Sequence, residues 1–263
     1  MYRLLDLFSG IGGFSLGLER SGGFKTVAFC EIEPFPRRVL RKHWPDVPIY
    51  EDVRTLTAER LAADGISVDA ICGGFPCQDL SVAGRRAGLE GSRSGLWSEV
   101  VRLVGEIRPA VVIVENVGGL LSGPDDKPGR WFGRVLGDLA EVGYDAEWHC
   151  IPAASVGAPH LRDRVWVVAN SQQIKWVHPV FDADHAAEVC RVNATQRQQN
   201  GLRSQMGGEV RSVPGPWMDQ PKPVGVADGV SDWPHRLGAL GNAVVPQIPE
   251  LIGRAIMEAE AAA

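Results

Sequence analysis

Two side chains in the first half of the chain have the chemistry of a nucleophile and an acid. Cys77 stands in GGFPCQDLSVAG, directly after Pro76, where an apolar run gives way to a glycine-flanked turn. Glu115 stands in AVVIVENVGG, at the end of a second such run. A thiol attacks electron-poor carbon as its thiolate, so a reacting cysteine needs partial exposure and positive surroundings that lower its pKa. Arg85, Arg86 and Arg93 follow Cys77 closely enough to supply them. On these residues alone Cys77 is open between a nucleophile and a buried thiol, whereas Cys72, inside the apolar run, reads as inert core. The five cysteines are odd in number and form no C-x-x-C pair, and His178, His185 and His235 have no metal-ligand spacing with them. Neither a disulfide framework nor a metal site is expected.

Positioning these groups falls to an alternation of strands and helices. YRLLDLF reads as a buried strand, SGIGG as a glycine loop, and FSLGLERSG as a helix with a glycine stop. KTVAFCEIE is a second strand, PFPRRVLRKHW a helix with proline near its start, and PIYEDV a short third strand. VDAICGGFPC and AVVIVENVGG are two more, joined by the helical stretch GLWSEVVRLVGEIR. YDAEWHCIPAASVGAPHLRDRVWVVAN reads as two strands around a loop, and RLGALGNAVVPQIPELIGRAIMEA closes with a helix. The alternation predicts an α/β protein built on an open, mostly parallel sheet, in which ligands bind beyond the carboxyl ends of the strands. Ser9, Glu31, Asp52, Cys77 and Glu115 fall at or just past those ends and so are expected to share one cleft.

Gly10, Gly12 and Gly13 let the chain turn tightly after the first strand and approach a ligand closely, ahead of a helix N-terminus. Glu31, at the end of the second strand, lies at the offset where a carboxylate accepts from a ribose diol, and Asp52 is placed either to take a base amino group or simply to start a turn. Position 16 is Leu where G-x-G-x-x-G has its third glycine. Two cofactor classes stay open, a dinucleotide and S-adenosylmethionine, and the missing glycine weakens the first.

The blocks DLFSGIGGFSLGLE, GGFPCQDLSVAG, VENVGGLLS, RDRVWVVA and LGNAVVPQ, in this order and spacing, resemble the DNA (cytosine-5)-methyltransferase family. The resemblance leaves out only residues 171–223. It implies a Rossmann-like, doubly wound class I methyltransferase fold with a small loop-rich target-recognition lobe. Its domain plan is a catalytic and cofactor-binding part at 1–170, recognition at 171–223, and a segment at 224–263 returning to the catalytic part. Cys77 matches the nucleophile that attacks C6 of cytosine, Glu115 the carboxyl on the N3 and amino edge, and Arg162 and Arg164 the basic motif beside the base. His160 stands where the family has glutamine. Phe8, Gly10, Gly12, Glu31, Ile32, Asp52, Pro76 and Asn242 match positions around S-adenosylmethionine, and Asn116 is expected to orient the loop of Pro76 and Cys77.

The resemblance further implies that the target cytosine of double-stranded DNA is flipped into the pocket. The loop from Gln78 to Gly95, with Ser81, Arg85 and Arg86, is expected to close over it. Sequence choice is expected within 171–223, where Gln196, Arg197, Gln198, Gln199 and Asn200 are densest in polar side chains. A net charge of −5 does not by itself announce a nucleic-acid binder, and no apolar run is long enough for a membrane span. The expectation is a soluble, monomeric cytoplasmic enzyme. A tRNA cytosine-5 methyltransferase and a non-catalytic DNA-binding regulator are the alternatives.

Overall fold

The computed structural model describes residues 1–75, 95–122, 129–158, 160, 162–171, 239 and 241–262. The first part runs β1 (Tyr2–Leu7), α1 (Gly13–Arg20), β2 (Phe24–Cys30), α2 (Pro34–His43), β3 (Ile49–Tyr50), α3 (Ala58–Ala63) and β4 (Ala70–Gly74). Then come α4 (Leu96–Ile107), β5 (Val111–Val117), α5 (Gly119–Ser122), α6 (Arg130–Glu141), β6 (Tyr144–Pro152), a 3₁₀ turn (Ala153–Val156), β7 (Asp163–Ser171) and α7 (Gln247–Ala261). The strands form one seven-stranded sheet in the order β3-β2-β1-β4-β5-β7-β6. β1 to β5 pair in parallel, while β7 is antiparallel to both β5 and β6. This is the expected α/β, mostly parallel, doubly wound sheet.

The central strands are apolar on both faces because helices cover both. Successive side chains alternate, so Leu5 and Leu7 of β1 join Val112 and Val114 of β5 in a core under α3, α4 and α6. Leu4 and Ile113 face the other way, toward Phe14 and Leu18 of α1 and Ile252 and Ile256 of α7. Asp6 shares the parity of Leu4, which puts a carboxylate inside that second layer; it is fully buried.

The chain end returns to the first helix at backbone contact distance. A Cβ on Gly17 would stand 2.1 Å from the carbonyl oxygen of Pro246, and one on Gly253 would stand 2.6 Å from Ser21 Oγ. Only glycine admits that approach, and the Tyr2 hydroxyl, donating to Glu260, ties the far end of α7 to β1. Among the described residues no helix is long and apolar enough to cross a membrane.

Besides the four-residue α5, two helices go beyond the sequence reading. α6 has Phe132, Val135, Leu136 and Leu139 at helical spacing, which bury against the first core. The short α3 is capped by the Thr57 side chain, which accepts from Arg60 N at 3.1 Å.

Candidate active site

The loop after β1 makes its turn through left-handed backbone at Phe8 (φ 52°), Gly10 (φ 53°) and Gly12 (φ 85°). A Cβ at Gly10 would meet nothing within 4 Å, so the space before it is open; one at Gly12 would strike the Trp44 ring at 2.6 Å. Glu31 is buried and stitches the end of β2 to this loop. Its Oε2 accepts from Gly10 N at 2.7 Å and its Oε1 from Glu33 N at 2.7 Å. Each carboxylate oxygen has a second lone pair left for a ligand. Ile32 beside it leaves 56% of its surface in solvent, unusual for a large apolar residue at a strand end.

One expectation needs correcting here. Ser9 does not face the cleft: its hydroxyl donates to the Asp6 carbonyl at 2.6 Å and accepts from Cys30 N at 3.3 Å, so it braces the turn. Asp52 takes the turn role that its sequence position also offers: the Arg54 backbone N–H donates to Oδ1 at 3.0 Å and the Arg54 guanidinium reaches Oδ2 at 2.8 Å. That contact holds the Asp52 carboxyl below the usual carboxylate range.

Beyond β5 lies the second half of the site. Val117 pairs with Arg164 and Glu115 with Trp166, which makes Glu115 and Arg164 diagonal neighbours on one face of the antiparallel pair. Arg164 Nε meets Glu115 Oε1 at 2.7 Å. Glu115 lies over Gly74, where a Cβ would stand 3.0 Å from Oε2. Burial pushes the Glu115 carboxyl above its ordinary range, and the charges of Arg164 and Arg162 pull it partly back. Burial thus makes Glu115 a better proton donor to a ring nitrogen than a solvated carboxyl would be.

Asn116 is buried beside it. Its Nδ2 donates to the Phe75 carbonyl at 2.8 Å and its Oδ1 accepts from Val117 N at 2.9 Å. Phe75 immediately precedes Pro76 and Cys77, so an amide on β5 fixes the backbone that leads into the predicted nucleophile.

The two arginines of the basic motif take different partners. Arg164 reaches Glu115, whereas Arg162, at φ 34°, donates from Nη1 to the Gly241 carbonyl at 2.5 Å. Burial and the like charge of Arg164 lower the Arg162 pKa. Asn242, exposed, follows Gly241 directly, and Val244 lies against Gly13, so the return segment abuts the glycine loop. His160 is exposed. Pro76, Cys77, Gln78, Ser81, Arg85, Arg86 and Arg197 lie outside the described residues, as does almost all of the predicted recognition region. Among the described residues no cluster of three or more His, Cys, Asp or Glu could hold a metal ion.

Sequence reasoning missed Asp6, whose signal was an acid inside an otherwise apolar strand. It also missed Trp44, whose ring fills the space behind Gly12 and whose Nε1 donates to Glu19 at 3.0 Å.

A glycine loop on β1, a carboxylate closing it from β2, and an acid–arginine pair across β5 and β7 define a class I methyltransferase arrangement. The family described as C-5 cytosine-specific DNA methylase matches residues 2–216, and the chain belongs to it. It is 37% identical over 189 residues to the Type II methyltransferase M2.BsuMI of Bacillus subtilis, covering 70% of this chain and 46% of that one. It is 38% identical over 180 residues to the Type II methyltransferase M.NgoMIV of Neisseria gonorrhoeae, covering 66% and 55%. The chain thus spans about half the length of these relatives. A prophage-encoded E. coli protein superposes with a TM-score of 0.57 at 26% identity, over 68% of this chain and 49% of that one. Spodoptera frugiperda DNMT2 shares the fold with a TM-score of 0.54 at 20% identity, over 68% and 52%.

Proposed function

We propose that the protein transfers a methyl group from S-adenosylmethionine to C5 of a cytosine flipped out of a short, specific DNA sequence. The observation that carries this reading is the pairing of Glu115 with Arg164 beside Asn116, whose amide holds the Phe75 carbonyl at the entrance to Pro76 and Cys77.

The cofactor suits the residues around the glycine loop. Open space at Gly10, the exposed face of Ile32 and the free lone pairs of Glu31 offer room, an apolar plane for a base and acceptors for a ribose diol. Phe8, Gly12, Asp52, Pro76 and Asn242 complete the proposed set. When bound, S-adenosylmethionine supplies an activated methyl group on a sulfonium.

C5 of cytosine is too weak a nucleophile to take that methyl unaided. The Cys77 thiolate adds its electron pair to C6; the C5–C6 π pair moves between C4 and C5, and the C4–N3 pair settles on N3, which takes the Glu115 proton. C5 of this enamine then accepts the methyl, and N3 regains its double bond to C4. Water takes the C5 proton, the C5–H electron pair restores the C5–C6 double bond and expels the Cys77 sulfur as thiolate, and the N3 proton returns to Glu115. Arg164 holds the Glu115 carboxyl in place through the cycle, and Arg162 anchors the return segment beside it. Residues 78–95, with Gln78, Ser81, Arg85 and Arg86, close on the DNA, and Arg197 belongs to the region that reads its sequence.

Nucleoside mass spectrometry tests the reading: the protein is incubated with unmethylated genomic DNA and isotopically labelled S-adenosylmethionine, beside Cys77→Ala. Labelled 5-methylcytosine is expected from the parent and none from the variant. No labelled base from a parent that binds the cofactor would refute a DNA methyltransferase activity for this chain.

A further inference from the structure

The glycine loop holds left-handed backbone at Phe8, Gly10 and Gly12, and Phe8 lacks a glycine's freedom to adopt it. Such backbone persists where its surroundings over-determine it. Glu31 fixes the Gly10 N–H from the side of β2. At Gly12 the support is a wall: an added Cβ would stand 2.6 and 2.8 Å from two ring carbons of Trp44 and 3.1 Å from Leu40 Cδ2. At Gly10 an added Cβ would meet nothing within 4 Å. The loop is therefore closed behind Gly12 and open before Gly10.

The wall is itself held in place. α2 ends at His43, and Pro45 disfavours helical backbone at Trp44, which leaves the helix at φ −129° and ψ 68°. The Trp44 ring meets the Phe29 ring edge-on at a centroid distance of 5.3 Å, and both Phe29 and Leu40 are fully buried. Its Nε1 donates to Glu19 Oε2 on α1 at 3.0 Å. Glu19 has a second partner. The register of β1 on β2 slips between Leu4 and Leu5, passing over Val27, and the Thr26 N–H beside the slip donates to Glu19 Oε1 at 3.1 Å. One carboxylate thus ties α1, the bulge in β2 and the end of α2 together, and the indole is the part of this clamp that reaches the loop.

We propose that Trp44 is a positioning residue of the cofactor site: its indole, clamped by Glu19, backs Gly12 and holds the loop in the left-handed course that opens it at Gly10. This rests on the reading that the loop binds S-adenosylmethionine. Trp44 acts on the ligand through Gly12, so its loss weakens binding by loosening the loop. Gly12 in turn excludes a side chain for two reasons, its positive φ and the ring behind it.

Isothermal titration calorimetry of S-adenosylmethionine tests this on the parent, Trp44→Phe, Gly12→Ala and the double variant, each well below its own Tm. Trp44→Phe loses the two ring carbons that face Gly12 and the Nε1 donor, and should bind about fivefold more weakly. Gly12→Ala should cost at least ~30-fold in the parent, from clash and left-handed strain together. In the Trp44→Phe background, where the vacated space takes the methyl, it should cost only about fivefold. Losses that multiply independently overturn the role, and so does a Trp44→Phe variant that binds like the parent. Should Trp44→Phe fail to fold, Glu19→Gln keeps the ring and leaves one acceptor for two donors. It should bind about threefold more weakly, and parental affinity there overturns the clamp. With 5-fluorotryptophan in place of tryptophan, the ¹⁹F resonance missing from Trp44→Phe should move when S-adenosylmethionine is added. A tryptophan that serves stability alone would leave it unmoved, and that result also overturns the role. A parent that binds no S-adenosylmethionine refutes the cofactor reading itself, whereas the other adverse results leave that reading standing and refute the role of Trp44.

Discussion

Removing Arg164 should make the stability of the protein depend on pH in a direction fixed by Glu115. The side chains of the pair are 21% and 12% exposed and meet at 2.7 Å, so Arg164→Ala leaves a carboxylate in a water-poor site without its partner. Breaking such a pair from one side costs about 3–5 kcal/mol while the remaining group stays charged. Glu115 can escape part of that cost by taking a proton. Its carboxyl already lies above the ordinary 4.5 in the folded chain, and loss of Arg164 raises it further. A group with a raised folded pKa binds more protons folded than unfolded, so stability falls as pH climbs from the unfolded value through the folded one, by up to about 1.4 kcal/mol per pH unit. Relative to the parent, Arg164→Ala should therefore be cheap near pH 4.5 and cost about 3 kcal/mol by pH 8. Urea denaturation at pH 4.5, 6, 7 and 8 measures this, with Glu115→Gln and the double variant closing the cycle. The double variant should lose the added pH dependence, and the cycle should show coupling well above ~0.5 kcal/mol at pH 8. A penalty equal at pH 5 and pH 8, or additive single changes, would refute the pairing as the reason Arg164 is there.

Other perturbations test the scaffold around the pair. Asn116→Ala orphans the Phe75 carbonyl and Val117 N–H and should cost about 1–3 kcal/mol; kcat should fall at least ~10-fold through misplacement of Cys77, while S-adenosylmethionine affinity changes less than about twofold. Calorimetry beside single-turnover kinetics separates the two, and an equal loss in both would argue against the positioning role. Gly17→Ala drives a methyl into the Pro246 carbonyl and should lower Tm by several degrees, whereas Gly133→Ala, on the exposed side of α6 with nothing within 4 Å, should raise stability by about 0.5–1 kcal/mol. The contrast is read by differential scanning calorimetry, and similar shifts at both sites would remove the argument from close helix contact. Ile32→Ala should weaken S-adenosylmethionine binding at least ~5-fold without changing Tm by more than a degree or two, because the side chain is solvent-facing in the free protein.

By itself the sequence determined the strands, the glycine loop and the residue types that ring the site. Those depend on local causes: apolar runs of strand length, glycines where backbone turns left-handed, proline at a helix start. Even the diagonal placement of Glu115 and Arg164 follows once β5 and β7 are known to pair, since side chains repeat every two residues. The tertiary structure alone decided which partner each polar group takes. Arg162 and Arg164 are two residues apart in one strand-entry segment, yet one binds a carboxylate on β5 and the other a carbonyl 79 residues away. Asp6 reads as an intrusion in an apolar strand until α1 folds over it and brings the Ser15 hydroxyl to its carboxylate, and Ser9 reads as a cleft residue until its hydroxyl is seen facing Cys30. Periodicity tells which face a side chain takes, but the choice among donors on that face is made by the packing of helices and strands far apart in the chain, which leaves a buried polar group only the partners that reach it.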